Sequence, residues 1–594
     1  MTIRDLPFFL RFVMQDEQVS HLRHSLAHLL AAAVLELYPD TKRAIGPAIE
    51  DGFYYDFEFS TPLPESALPT IEAKMREILK TWSTFERREV TADEARVIFA
   101  GNPYKLELIE EFSTGGQMLT TYTSGTYVDL CRGGHTENAR AIDPKCFALD
   151  RVAGAYWRGD ENNTMLTRVY GLAFATKDEL VAHQAMLVEA AKRDHRKLGQ
   201  ELDLFAFSPL VGSGLPLFTP RGTIMRKLLE EFVWDLMRPY GYDRVTIPHM
   251  AKVDLYKTSG HWDKFQDDIF HVKSKKTDDL FIMKPMNCPH HTQIYASRPR
   301  SYRDLPLRYS EVTTVYRDEN TGQLAGLTRV RSITQDDAHI FCRMDQIQQE
   351  VESVYQIVTK FYETFGMSLR IRLSTHDPEK MENYLGSDAL WESSVGMLRA
   401  MLEEKGKAYE TGVGEAAFYG PKIDFMAKDA IGREWQLATV QLDFNQPERF
   451  ELEYTAADGT KQRPVMVHRA ISGSLERFMA VVIEHYAGAF PVWLAPVQVL
   501  LLPVGEGHRD AASEIATALN TIGIRTEVDL SDETVGKKIR AAEKSKVPYM
   551  VVVGDKEVAG EPWQVRRHGQ PEQAALTREA FTEQVLRESK ERSA

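Results

Sequence analysis

The sequence predicts a multidomain protein of mixed α+β and α/β class: an α+β N-terminal unit, a central unit built on a large, mainly antiparallel sheet, and a compact C-terminal α/β domain. Three observations carry this expectation. A chain of 594 residues with 43% hydrophobic content is too long for one core. Its middle block holds strand-like runs joined by polar turns, LPLRYSEVTTVYR and REWQLATVQLDF among them. Beyond Pro491, apolar strand-like runs alternate with helical stretches.

Residues 1–20 read as an N-terminal tail, and LPFFLRFVM within them is short and interrupted by Arg11, unlike a signal peptide or a membrane span. Residues 21–176 mix helical segments with GFYYDFEF and TYVDL, an α+β pattern. Residues 177–198, dense in Ala, Glu, Lys and Arg, read as one linker helix. The block 199–490 opens with a segment in which Ile224, Leu228, Phe232 and Leu236 recur at helical spacing, ahead of a β-rich run ending at Pro248. LFIMKP is expected in the same sheet as the two longer strand runs. In the block 491–594, VQVLLLPV, IRTEVDL and VPYMVVVGD read as strands, with helices at 511–522, 535–544 and 577–590.

Composition excludes some functions. A formal charge of -14 argues against a protein that coats nucleic acid nonspecifically, since phosphate contacts need surplus Lys and Arg. Basic runs at 190–197, 297–309 and 535–546 leave room for a local nucleic-acid face, though each alone reads as solvated charge. The longest apolar run is cut by Pro491, Pro496 and Pro503, so no membrane span is expected. Cys131, Cys146, Cys288 and Cys342 are widely spaced, which fits a reducing compartment, and a cytoplasmic protein is expected.

Two arginines stand out: Arg317 in VYRDENTG, at a strand end, and Arg477 in GSLERFMAVVIEHY, near a helix start. A guanidinium matches phosphate oxygens, although each alone reads as a surface residue. The strand, loop and strand around 317–333 followed by the 473–486 helix resemble motifs 2 and 3 of class II aminoacyl-tRNA synthetases, and the segment ending at Pro248 resembles motif 1. MKPMNCP, TRVRSITQDDAHIFC, FYGPKIDF, WQLATVQLDF and VHRAISGSLERF are similar to the threonyl-tRNA synthetases, and the resemblance runs from about 21 to 590. It implies an ATP-dependent ligase joining L-threonine to tRNA(Thr), a homodimer built through motif 1, and a form without the family's N-terminal ubiquitin-like domain.

By that resemblance Arg317 holds the ATP α-phosphate, Glu319 contacts adenine and Arg477 holds the γ-phosphate. Arg329 and Gln436 join the nucleotide site, magnesium bridges the phosphates, and Lys422 serves the chemistry. The positions matching Cys288, His339 and His468 bind one zinc per subunit in the family. Spacing alone selects no metal here: the alternative is a buried thiol beside two hydrogen-bonded histidines, and CPHH offers His290 and His291 as competing ligands. Zinc with an open position suits threonine, whose amino group and hydroxyl both bind it, and leaves valine poorly matched. Asp337 matches the residue accepting the threonine hydroxyl proton, Gln335, Tyr419 and Gln441 line the pocket, and His261 matches a histidine of the transfer step. Two departures stand near these positions: Pro289-His290 where Pro-Gly is usual, and Leu437-Ala438 for Cys-Gly.

Serine keeps the hydroxyl and lacks only a methyl, a difference worth only about 1–3 kcal/mol in binding, so a second, hydrolytic site is expected. His24 and His28 lie at i and i+4 on one helix face, and Cys131 and His135 bracket a glycine-containing loop. No glutamate base sits between the two helix histidines, which weakens a metalloprotease reading. With Lys105 and Asp129, the four match the editing domain that hydrolyses mischarged seryl-tRNA(Thr). A positioned water is the preferred agent, with a bound metal as the open alternative. The C-terminal block resembles the anticodon-binding domain, with Glu557 and Arg566 where bases are read. Two competing readings remain, a synthetase-like binding protein without chemistry and a zinc hydrolase centred on the N-terminal block.

Overall fold

The computed structural model describes residues 8–160 and 162–593. It falls into two compact units, Met1–Val188 and Glu189–Ala594.

In the first unit, helix Phe8–Leu37 buries Leu26, Leu29, Leu30 and Val34 against strand Gly52–Glu58 and helix Leu68–Leu79. Part of the stretch expected as a tail is therefore helix from Phe8 on; its first seven residues lie outside the described residues. GFYYDFEF forms Gly52–Glu58, which pairs antiparallel with Met165–Ala173, itself paired with Phe147–Tyr156. TYVDL forms Tyr127–Leu130 in a separate sheet with Leu119–Ser124 and Glu86–Val90. The expected linker helix is two helices, Lys177–Lys192 and His195–Glu201. The break falls at Asp194, whose carboxylate accepts from Arg196 N at 2.8 Å and caps the second helix.

The second unit holds an eight-stranded sheet in the order Asp243–Arg244, Leu307–Tyr316, Ser332–Cys342, Val465–Ser474, Glu434–Asp443, Lys422–Lys428, Ser368–Thr375, Tyr409–Val413. All pairings are antiparallel except the two at the edges, matching the expected architecture. Helices Ile347–Thr364 and Leu475–His485 pack on it, burying Val354, Ile357, Phe361, Phe478 and Val482. LFIMKP departs from expectation: Leu280–Met283 pairs with Met250–Lys252 and His271–Lys273 in a small separate sheet. The local β pattern was real, but partner choice is a tertiary property.

Residues beyond Pro491 form a five-stranded sheet in the order Thr526–Val528, Val499–Pro503, Tyr549–Val553, Trp563–Arg567, Gln573–Leu576. The first three strands are parallel, as alternation with helices demands; the last two add an antiparallel edge not read from the sequence. No helix among the described residues is long and apolar enough to cross a membrane.

Candidate functional site

The central site lies on one face of the eight-stranded sheet. Cross-strand register aligns Lys422 with Gln441, Gln441 with His468, and His468 with His339, a single row across four strands. Residues opposite one another in a ladder project to the same face, so the row is one polar strip. Asp337, two residues along from His339, shares that face. Asp336 points the other way, where it is buried and accepts from Ile471 N at 2.8 Å and from Ser472 Oγ at 3.0 Å.

A cleft of about 810 Å3 opens over this strip. Arg317, Glu319, Arg329, Gln335, Tyr419, Lys422, Gln436, Gln441 and Arg477 all line it, although the first and last lie 160 residues apart in the chain. Arg317 and Arg477 are half-buried, and no carboxylate among the described residues lies within ion-pair distance of either. Burial lowers the pKa of both guanidinium groups, and Arg477 Nε has no partner. Two desolvated, unpaired cations at one cleft make an anion site. Most of the other polar groups are engaged: Arg329 reaches Glu319 at 2.7 Å, Lys422 reaches Asp424 at 2.9 Å, Gln436 accepts from Arg372 at 2.9 Å, and Gln441 donates to Gly420 O at 3.0 Å.

Cys288, His339 and His468 are all buried, with one ligand atom from each within 4.8 Å of the others. Cys288 opens helix Cys288–Ala296, and burial pushes its thiol well above the ordinary range, a cost that a divalent cation removes. His339 Nδ1 lies 2.8 Å from His291 Nδ1, which leaves Nε2 for a metal. His291 is thus a neighbour of a donor, and His290 lies 3.4 Å from Tyr256 Oη, so neither competitor belongs to the donor trio. One thiol and two imidazoles in a buried corner beside a polar strip fit a tetrahedral metal with one position open. Asp337 accepts from Asn287 Nδ2 at 2.9 Å and lies 3.7 Å from His339 Nε2. His261 is wholly buried, its Nε2 3.7 Å from Cys288 Sγ, and its Nδ1 2.8 Å from Ser259 Oγ; burial lowers it to about 3. It therefore stands against the trio, away from the lining of the open cleft.

The N-terminal unit gathers its own predicted set. Cys131 Sγ lies 3.5 Å from His24 Nε2 and 3.3 Å from His135 Nε2, and the His28 and His135 rings are 4.4 Å apart. The chain reaches His135 through Gly133 and Gly134 at φ +104° and +82°, a turn that glycine takes without strain. Burial lowers His28 to about 3 and His135 to about 2, and raises Cys131 to about 11, so all are neutral near pH 7. Beside them Asp129 is buried and meets Lys105 Nζ at 2.7 Å, Tyr55 Oη at 2.5 Å and Tyr127 Oη at 2.7 Å. Burial works to raise the Asp129 carboxyl, but Lys105 and Arg43 outweigh it and hold the group below the usual range. His24, His28, Lys105, Asp129 and Cys131 line one pocket. Glu557 and Arg566 are not joined by an ion pair among the described residues; Glu557 accepts from Gly554 N at 3.0 Å, and Arg566 lies on strand Trp563–Arg567.

Comparison with known proteins decides the family. The chain is 47% identical over 581 residues to the threonine–tRNA ligase of Rubrobacter xylanophilus, covering 97% of this chain and 90% of that one. The chain belongs to the threonine–tRNA ligase family. The corresponding protein of Thermosynechococcus vestitus is 47% identical over 569 residues, covering 94% of this chain and 93% of its own. Residues 270–486 match the class II tRNA synthetase core domain (G, H, P, S and T), 498–588 the anticodon binding domain, and 119–170 the threonyl and alanyl tRNA synthetase second additional domain. A solved structure titled as the RNA binding domain of threonyl-tRNA synthetase from Cryptosporidium parvum Iowa II is 35% identical, with TM-score 0.63, covering 67% of this chain and 98% of its own.

The family's core model thus spans both arginines and all three donors of the buried trio. Sequence reasoning missed several partners of the site. Asp443, 2.9 Å from His468 Nε2, was signalled by strand period, since it lies two residues beyond Gln441 on the same face. Arg43 and Tyr55 beside Asp129 carried no local signal.

Proposed function

We propose that the chain is a threonine–tRNA ligase that activates L-threonine with ATP in the central cleft, transfers it to the 3′ end of tRNA(Thr), and hydrolyses seryl-tRNA(Thr) in its N-terminal unit. The pairing of a cleft lined by two uncompensated arginines with a buried Cys–His–His corner at the end of its polar strip carries this reading. Arg317 grips the α-phosphate and Arg477 the γ-phosphate, so charge that builds on the nonbridging oxygens meets cations already stripped of water. Glu319, Arg329 and Gln436 hold the rest of the nucleotide, and magnesium bound with ATP would offset phosphate charge. Gln335, Tyr419, Lys422 and Gln441 orient threonine, and Asp337 takes up the proton of its hydroxyl. His261 serves the transfer step from its position beside Cys288.

Cys288, His339 and His468 would hold one zinc ion, which when bound would supply a Lewis-acidic contact for the amino group and hydroxyl of threonine. Valine fills the same volume without the hydroxyl, and a site built for that group rejects it. Serine passes, so the neutral imidazoles of His24, His28 and His135, with Cys131, Lys105 and Asp129, position the water that cleaves its ester. Glu557 and Arg566 read anticodon bases, the active form is a homodimer, and the setting is cytoplasmic, in keeping with four free cysteines. ATP–pyrophosphate exchange tests the reading: pure protein with zinc is expected to exchange with threonine and not with valine. No exchange with any amino acid would leave only a binding protein, and hydrolysis of threonyl- and seryl-tRNA alike without charging would leave only a hydrolase.

A further inference from the structure

His195 ties the loop that carries the nucleotide-binding residues to the helix that carries Arg477. It is the first residue of helix His195–Glu201 and is 5% exposed. Its Nδ1 lies 2.7 Å from Glu484 Oε1, and its own backbone N–H donates to the same oxygen at 3.1 Å. Glu484 sits two turns beyond Arg477 on helix Leu475–His485, and Arg433 holds its other oxygen at 2.5 Å. The second ring nitrogen, Nε2, accepts from Leu327 N at 3.0 Å. That bond fixes the tautomer: Nε2 is the acceptor, so Nδ1 carries the proton and donates to Glu484. Leu327 is wholly buried and lies between Glu319 and Arg329, on the loop whose base is closed by Arg317 N donating to Arg331 O at 3.0 Å.

The backbone is cleared to reach this ring. Gly326 stands at φ +52°, and a Cβ there would lie 2.3 Å from His195 Nε2 and 2.9 Å from Arg196 Cγ. Asp194, His195 and Glu484 cluster closely enough to resemble a metal site, but both ring nitrogens and both Glu484 oxygens already have protein partners, and Asp194 is engaged by Arg196. The cluster is a connector.

We infer that His195 is a positioning residue for the nucleotide: through one imidazole it sets the distance between the Arg317–Arg329 loop and Arg477, and so the spacing of the groups that grip ATP. This rests on the ligase reading above. None of the threonine-pocket residues touches the connector, so its loss should be felt for ATP and hardly for threonine.

Exchange kinetics on the full-length protein test this with His195→Leu, His195→Gln and Gly326→Ala. A glutamine carbonyl and amide reproduce an acceptor and a donor side by side, so His195→Gln is expected to hold the ATP KM near the parent value. His195→Leu, which removes a bond to a buried backbone N–H, is expected to raise the ATP KM by about fivefold to tenfold, with the threonine KM within about twofold. Gly326→Ala is expected to follow His195→Leu. The inference fails if His195→Leu lowers the melting temperature but leaves the ATP KM alone, if the ATP and threonine KM rise together, or if glutamine is no better than leucine. Absence of exchange in the unmutated protein would instead sink the ligase reading, so the two failures are distinct.

Discussion

Asp443 Oδ2 lies 2.9 Å from His468 Nε2 in a fully buried corner, and this contact decides which face of the imidazole is left for a metal. With Nε2 committed to the carboxylate, Nδ1 is the ring nitrogen left for the proposed metal, and the carboxylate would raise its basicity. The other oxygen of Asp443 accepts from Asn445 N at 2.8 Å and Gln446 N at 3.0 Å, so the carboxylate itself is held in place. Asp443→Ala is therefore expected to weaken zinc retention by about 10–100-fold without touching a ligand. Competition against a chelator of known affinity checks this, and unchanged retention would remove Asp443 from the account.

The two free arginines predict a split between activity and stability. Each is desolvated without a counter-charge, so the apo fold gains little from them. Arg477→Met is expected to lower the exchange rate by about 10²–10³-fold while leaving the melting temperature unchanged or raised. Loss of both together would mean that Arg477 is a structural residue.

Lys105 and Asp129 predict the opposite coupling in the N-terminal unit. Lys105→Met leaves a buried carboxylate with one close cation fewer, expected to cost about 3–5 kcal/mol of local stability and to abolish seryl-tRNA hydrolysis. Threonine-dependent exchange should be unaffected. Hydrogen exchange of residues 120–130 alongside a deacylation assay checks both halves.

Lys284 gives the pH prediction. It is wholly buried, donating to Thr313 Oγ1 at 2.8 Å, and burial lowers it to about 8 against the partial opposition of Glu311 and Asp337. Its folded pKa lies below its unfolded value, so unfolding takes up a proton between about pH 8 and the ordinary lysine range. The residue therefore penalises the fold below pH 8, and that penalty fades as pH rises. Lys284→Met is expected to melt higher than the parent at pH 7, with the gap narrowing by pH 10. A gap independent of pH would assign the effect to packing.

Legibility followed the reach of each signal. Gln335, Asp337 and His339 were marked only by family resemblance, whereas a helix period put His24 and His28 side by side. The wording of whole segments marked Arg317, Arg477 and the donor trio, which no spacing rule selects. What escaped depended on distant partners: the pairing of LFIMKP with Met250–Lys252, and the meeting of His195 with Leu327 and Glu484 across the unit. The break at Asp194 was open to local reading, since Asp before a short helix is a capping signal inside a run otherwise favourable to helix.

Zinc held by Cys288, His339 and His468 is proposed to select threonine. Metal analysis of the purified protein, paired with threonine and valine exchange on the parent and on His468→Ala, tests it most directly. One zinc per chain, strong preference for threonine, and loss of both in the variant are expected. A protein without zinc at Cys288, or a His468→Ala variant that still prefers threonine over valine as strongly as its parent, would contradict it.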